Sequence, residues 1–440
     1  MPSWLLNTLA CRIRSSSRMA AAVSSQELSI PRISIEVSGM VKGERQIFDC
    51  HGVVFSVKSV RIYMSMGLKS MTAPSQYSFL QQLLKAVSKT APLRADKTPL
   101  VDNFSRTISY LRLSVTDRCN LRCMYCMPET DGDTGCRRKN SVILPHVDLL
   151  TYEELLRVVC LAIQLGMNKI RLTGGEPLVR KDILRFIARL TRIEGLHEVR
   201  LTTNGVLLEE YAQSLYDSGI RQLNISLDSL QAHRFARITG RDCFDQVWRG
   251  IMAARDLGFR IKINVVAMKG INDDEFGDFA ALALHQPFQV RFIEFMPVGE
   301  KSSWQLEQFI RAADIMAMLT DMGEFIPRQS QRIDGPARVY HLQARDGRQG
   351  TVGFISPISH HFCDQCNRLR LTAEGKLRSC LLNDNERDIK TLLRGGATDE
   401  ELMRAIRDTV LDKPKGHQLQ QRLDNGQAMQ CPGQMSRIGG

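Results

Sequence analysis

Long apolar runs are absent from this 440-residue chain. A bilayer-spanning helix needs about 20 consecutive, mostly apolar residues, so no membrane span is expected. Acidic residues are absent from residues 1–26 and again from residues 50–95. Residues 1–97 hold 13 Lys and Arg against 5 Asp and Glu, a net of +8 out of the chain's +12, which leaves +4 for the rest. A basic excess gathered at one end argues against a nucleic-acid protein, whose cations line a binding face. Cysteine is too thin for a secreted disulfide framework: there are twelve, and six of them fall into two tight clusters. Clustered thiols favour metal sites in a reducing compartment. The other six, Cys11, Cys50, Cys136, Cys160, Cys243 and Cys431, read as unpaired, with Cys160 a core thiol in an apolar helical run.

The composition that remains, 43% hydrophobic and 24% charged, is that of a globular protein. Arg12, Arg14, Arg18 and several serines make residues 1–26 similar to a mitochondrial transit peptide, so a matrix location is expected. Residues 1–100 read as this leader plus a poorly ordered segment, with a short helix allowed at 76–87. After that, strand and helix patterns alternate. Strands are expected at 110–115, 169–173, 198–202, 222–227, 260–267 and 289–295. Helices are expected at 151–165, 181–191, 207–217, 244–257 and 274–284, with Thr151 and Glu154 forming a capping box at the start of the first. Repeated βα units imply a parallel sheet. Six are too few to close an eight-stranded barrel, and periodicity alone also allows a doubly wound open sheet.

Two cysteine sets carry the chemistry. Cys119, Cys123 and Cys126 are spaced C-x3-C-x2-C, with Tyr125 before the last. One tight loop can aim three thiolates at one soft metal or iron-sulfur cluster. A cubane 4Fe-4S cluster would keep one iron open; a zinc loop is the plainer alternative. Cys363, Cys366 and Cys380 form a second trio, C-x2-C-x13-C, with no fourth cysteine nearby, although His360 or His361 could complete a zinc site. The remaining marked positions follow expected strands, where β/α barrels collect function. Gly174, Gly175, Glu176 and Pro177 follow the second strand, Ser226 closes the fourth, and Met296 follows the sixth. Arg112, Arg171, Lys262 and Arg291 lie on strands, and Lys169 shares a face with Arg171. A sheet interior collects cations only when something anionic enters, and arginine suits phosphate oxygens.

The first trio resembles the signature of the radical S-adenosylmethionine enzymes. The second trio, together with Asn367, Arg368, Leu369 and Arg370, is similar to one branch of them, the GTP 3',8-cyclases of molybdenum cofactor biosynthesis. The resemblance covers about residues 104–440. It implies a partial (β/α)6 barrel over 101–300 and a C-terminal extension over 301–440 that binds a second cluster and substrate. It implies two 4Fe-4S clusters held by the six cysteines, and S-adenosylmethionine at Tyr125, Gly175, Ser226 and Met296. GTP is implied at Arg112, Arg171, Thr202, Lys262, Arg368, Leu369 and Arg370, with Arg291 as a catalytic donor. The family chemistry has an adenosyl radical taking hydrogen from ribose C3', after which C3' attacks C8 of guanine. A low-potential electron donor, a downstream cyclic pyranopterin monophosphate synthase, a homodimer and a terminal Gly439-Gly440 that enters the pocket are further implications. Residues 130–147 and everything before Asn103 have no match. A peptide-modifying radical enzyme and a zinc-holding binding module are the competing readings.

Overall fold

The computed structural model describes residues 99–126, 143–299, 304–328, 335–383, 385–425 and 433–439, and before them the backbone of short strands between Ala10 and Met64. Most of the expected leader, the helix expected at 76–87 and most of the 130–147 loop lie outside the described residues. Two compact units are Met1–Leu93 and Arg94–Gly440. In the first, Ala10–Ile13, Ser34–Val41 and Glu44–His51 form an antiparallel sheet where no element was expected. Ile35 and Val37 alternate with Glu36 and Ser38, a period-2 signal that the charge-based reading passed over.

The second unit is built on six parallel strands in sequence order: β1 (Tyr110–Ser114), β2 (Lys169–Thr173), β3 (Glu198–Thr203), β4 (Gln222–Ser226), β5 (Arg260–Ala267) and β6 (Phe288–Glu294). The crossovers contain α1 (Tyr152–Gln164), α2 (Ile183–Leu190), α3 (Leu208–Asp217), α4 (Ala232–Thr239), α5 (Phe244–Asp256) and α6 (Phe276–His285). Thr151 and Glu154 form the expected capping box on α1. That helix buries Leu155, Val158, Val159 and Ala162, so Cys160 falls on its outer side and is exposed. The expected core thiol is therefore a surface one.

The C-terminal part adds α7 (Ala312–Met318), β7 (Gly323–Pro327), β8 (Arg338–Ala344), β9 (Gln349–Ile355), β10 (Arg368–Leu371), β11 (Lys376–Arg378), β12 (Glu386–Asp388), α8 (Lys390–Arg394) and α9 (Asp399–Leu411). β9 pairs in parallel with β6, and β10 in parallel with β1. Residues from beyond 300 thus extend both edges of the core sheet. The order is β7-β8-β9-β6-β5-β4-β3-β2-β1-β10-β11-β12.

One face of this sheet is apolar. Leu111, Leu113, Ile170, Leu172, Leu201, Leu223, Ile225, Ile263, Val265, Val290 and Phe292 are all buried in the main core. Each such burial is worth about 1.5–3 kcal/mol over exposure. A doubly wound sheet would be apolar on both faces, beneath two helix layers. Here the other face carries arginines and amides. In a flat sheet β2 and β6, four strands apart, would be separated by about 19 Å at ~4.8 Å per strand. Tyr125, in the loop after β1, nevertheless packs edge-on against Phe295, just after β6, with ring centroids 6.3 Å apart, and Arg171 on β2 acts on the Arg291 guanidinium on β6, so the sheet curls and the polar face is its concave side. The partial barrel is the architecture that fits.

Candidate active site

β1 delivers the first trio. Val115 continues the ladder by donating to the Thr173 carbonyl at 3.0 Å, and the loop then runs along the end of α4. Arg122 N donates to Thr239 O at 2.8 Å and Met124 N to Ile238 O at 2.9 Å. The α4 helix, absent from the sequence reading, is thus the loop's support. Cys119, Cys123 and Cys126 are close enough to perturb one another. Burial pushes all three thiols up, Cys126 to about 12, and their neighbours Cys119 and Asp228 add to the shift there. A trio protonated at neutral pH takes up metal with release of protons. Asn204 Nδ2 reaches Cys119 Sγ at 3.6 Å and Asn120 Oδ1 at 2.7 Å. The Tyr125 hydroxyl donates to buried Asp228 at 2.6 Å, and Asp228 also accepts from Val266 N at 2.8 Å. That bond ties the cysteine loop to the ends of β4 and β5.

The loop after β2 locks against the same segment. Gly175 N donates to Thr116 O at 2.7 Å, and Glu176 N donates to Arg118 O at 2.8 Å. A Cβ on Gly175 would lie 2.3 Å from the Arg118 carbonyl oxygen, a backbone atom with nowhere to go. The Glu176 carboxylate accepts from Leu178 N, Thr203 Oγ1 and Asn204 N at 3.1, 2.8 and 2.7 Å. Burial alone raises it to about 7, against the pull of those three donors. Gly175→Ala should therefore part the two loops and destabilise the fold by about 3 kcal/mol, in the range of severe overpacking. Urea melts of the metal-free protein measure it; a loss below about 1 kcal/mol contradicts the contact.

The concave face is set by strand register. Arg370, Arg112, Arg171 and Arg200 form one row across four strands. Thr202, Asn224, Lys262 and Gln289 form another. Arg291 stands beside Asn264 and Gly353. Glu198 neutralises Lys169 at 3.1 Å and Arg200 at 2.7 Å. Among the described residues, buried Arg171, Arg291 and Arg370 meet no carboxylate. Burial and repulsion from neighbouring guanidiniums depress all three, Arg291 and Arg370 to about 9. Thr202 Oγ1, Asn224 Nδ2 and Asn264 Oδ1 on this face are buried without a hydrogen-bond partner. Such a surface fits a polyanion that also offers polar atoms. Sequence reasoning missed Arg200, Asn224 and Asn264, although their register with Arg171, Lys262 and Arg291 repeats the same alternation. Leu369 pairs in register with Leu111, and its side chain lies in the apolar core, which leaves its backbone as the part that can face the site. Alternation puts only Arg368 and Arg370 on the polar face.

The second trio is assembled by a hairpin. β10 and β11 pair with Arg370 opposite Arg378, which returns Cys380 to the level of Arg368, two residues from Cys366. The x13 spacing is this hairpin. Cys363, Cys366 and Cys380 perturb one another. Burial pushes the Cys366 thiol up, but the charges of Arg368 and Lys413 outweigh it and hold it at about 6. Among the described residues, no group of three His, Cys, Asp or Glu side chains can share a single ion. Asn367 O accepts from Ser109 N and Tyr110 N at 3.2 Å, so this trio roots at the start of β1, while the first roots beyond its end. Six residues of strand, about 20 Å, separate those roots.

Gly439 reaches the strand ends between them. Arg370 Nη1 donates to its carbonyl at 2.7 Å. Its φ is +81°, and a Cβ there would overlap Thr173 Oγ1 at 2.0 Å. Ser226 ends β4. Met296 follows β6, half-buried against Ile358 and Leu419, while neighbouring Phe295 packs edge-on against Tyr125.

Residues 113–283 match the radical SAM superfamily, and residues 288–419 match Molybdenum Cofactor Synthesis C. A GTP 3',8-cyclase of Thermodesulfovibrio yellowstonii is 49% identical over 72% of this chain and 94% of its own length. One from Heliobacterium modesticaldum is 46% identical over 78% of this chain and 100% of its own. Streptococcus suis SuiB bound to S-adenosylmethionine aligns over 83% of each chain at 16% identity, with a TM-score of 0.48. By these relatives, this chain belongs to the GTP 3',8-cyclase family of radical SAM enzymes.

Proposed function

We propose that the protein joins C3' of GTP to C8 of the same nucleotide's guanine, giving (8S)-3',8-cyclo-7,8-dihydroguanosine 5'-triphosphate, the first step of molybdenum cofactor biosynthesis. The observation that carries this reading is the set of buried guanidiniums of Arg171, Arg291 and Arg370 on the concave face, which meet no carboxylate among the described residues and are flanked by two cysteine trios. A triphosphate supplies the missing charge, and its sugar and base supply partners for the orphaned amides.

Cys119, Cys123 and Cys126 would hold one 4Fe-4S cluster. Tyr125, the Gly175 loop, Ser226 and Met296 are the positions assigned to S-adenosylmethionine. When bound, these groups supply the hydrogen-abstracting radical. Arg112, Arg171, Thr202, Lys262, Arg368 and Arg370 orient GTP, and Arg291 donates hydrogen bonds to it. Cys363, Cys366 and Cys380 would hold a second 4Fe-4S cluster beside the base. A low-potential electron donor, a cyclic pyranopterin monophosphate synthase as consumer of the product, a homodimer and a mitochondrial matrix location complete the reading.

Anaerobic incubation with GTP, S-adenosylmethionine and dithionite is expected to yield 5'-deoxyadenosine and cyclised nucleotide in step. Release of 5'-deoxyadenosine no greater than in a GTP-free control would remove GTP as the substrate.

A further inference from the structure

The segment after α9 touches every arm of the second trio. Lys413 is a buried lysine, 4% exposed. Its Nζ donates to Arg368 O at 3.1 Å and to Ser379 O. Arg368 lies two residues past Cys366, and Ser379 immediately precedes Cys380. One ammonium therefore ties together the two legs of the β10–β11 hairpin at the level of their cysteines. Its charge also acts on Cys366, favouring the thiolate. The third cysteine is reached through Arg106, which is paired with Asp102 at 2.6 Å. Arg106 Nη1 donates to Cys363 O at 2.8 Å and Lys415 O at 2.9 Å, and Nη2 donates to Pro414 O at 2.7 Å. Gly416 lies against Cys363: a Cβ there would be 3.8 Å from the sulfur.

The charge arithmetic is the second strand of the argument. Among the described residues no carboxylate pairs with Lys413, and the adjacent Asp412 is turned to Arg387 at 2.9 Å. A buried cation without a counter-ion is strongly disfavoured. The anionic atoms it can answer to are the thiolates of the trio.

We infer that Lys413 is a positioning residue for the second cluster, holding the Cys366 and Cys380 legs in register and placing a fixed positive charge beside the cluster's thiolates. The inference rests on the two-cluster reading above. Carbonyl bonds alone would make it a structural clip that any donor could replace. The fixed charge adds a measurable property: it favours the reduced, more negative state of whatever the thiolates hold.

The test uses the full chain with Cys119, Cys123 and Cys126 replaced by Ala, so that only the second site is read. Lys413→Met and Lys413→Arg are introduced into that background. Iron and acid-labile sulfide are counted after anaerobic reconstitution, and the midpoint potential is followed by electron paramagnetic resonance. Lys413→Met is expected to lose at least half the iron, or to keep it with the reduction equilibrium shifted at least tenfold toward the oxidised state, which is 59 mV for one electron. Lys413→Arg is expected to keep full iron and stay within about threefold of the parent. Full iron with an unchanged potential in Lys413→Met overturns the inference. So does a Lys413→Arg protein as impaired as Lys413→Met, since charge would then not be the operative property. A parent background that binds no iron at all overturns the two-cluster reading, and the inference with it.

Discussion

Arg291→Met is expected to be more stable and nearly inactive. Arg291 is 2% exposed, and its Nη2 donates to Asn224 Oδ1 at 2.9 Å. Burial, then the Arg171 guanidinium, depress its pKa to about 9. A cationic group whose folded pKa lies below its unfolded one destabilises the fold wherever it is charged. That penalty is complete below pH ~9 and relaxes as pH rises toward the unfolded arginine value, because the unfolded state then holds more protons than the folded one. At pH 7 it is of the order of a few kcal/mol. Losing the bond to Asn224 takes back about 1 kcal/mol. The net expectation is a higher Tm for metal-free Arg291→Met at pH 7, with the gap to the parent narrowing above pH ~9. Cyclisation moves the other way. Loss of one preorganised donor in a buried site lowers turnover by about 10²–10³. Added inorganic triphosphate should raise the Tm of the parent more than that of the variant, because it supplies the anion whose absence makes the cation unfavourable. A variant less stable than the parent at pH 7 would mean the concave face is already neutralised, and the substrate reading would lose its main support.

Much of this face was legible because its signal is local. Arg112 and Arg171 sit at alternate positions on short strands, and alternation is a one-strand property. The same holds for α1 and for β1 to β6, whose ends fall within a residue or two of expectation. What was not legible is long-range pairing. Nothing in residues 349–371 says that one strand will join β6 and another β1 at opposite edges. That pairing is what carries Arg368 and Arg370 onto the face and turns Leu369 into the core. The α4 helix was missed because it has eight residues, three of them buried, too few to declare a period. Lys413 and Arg106 were invisible for another reason. Each acts on carbonyl oxygens, which every residue possesses, so no pattern of side chains announces the contact. Glu198 shows the same limit in charge: summing lysines and arginines along the strands could not reveal that it neutralises two of them.

Replacing the cysteine trios one at a time is expected to separate two losses that a single-cluster or zinc reading would merge. The trios root at opposite ends of the paired β1 and β10, about 20 Å apart by strand rise, so changes at one should leave the other's metal in place. Cys119, Cys123 and Cys126 changed together to Ala should lower iron from about eight to about four per chain. That change should also abolish 5'-deoxyadenosine formation, because nothing remains to deliver the electron. Cys363, Cys366 and Cys380 changed to Ala should also leave about four irons. Here, though, slow 5'-deoxyadenosine release should persist while cyclised nucleotide falls by at least ~10³, since the cleavage site is intact and substrate positioning is not. The hairpin survives this second change because its hold is not metallic: β10 and β11 pair through their backbones, Arg378 ties β11 to Glu386 on β12 at 2.5 Å, and Lys413 reaches Arg368 O and Ser379 O. Far-ultraviolet circular dichroism should accordingly match the parent in both variants. Equal loss of cleavage and cyclisation from the second change would place both trios in one electron path rather than on two sides of a substrate. Zinc in place of iron at either trio would end the radical assignment for that site.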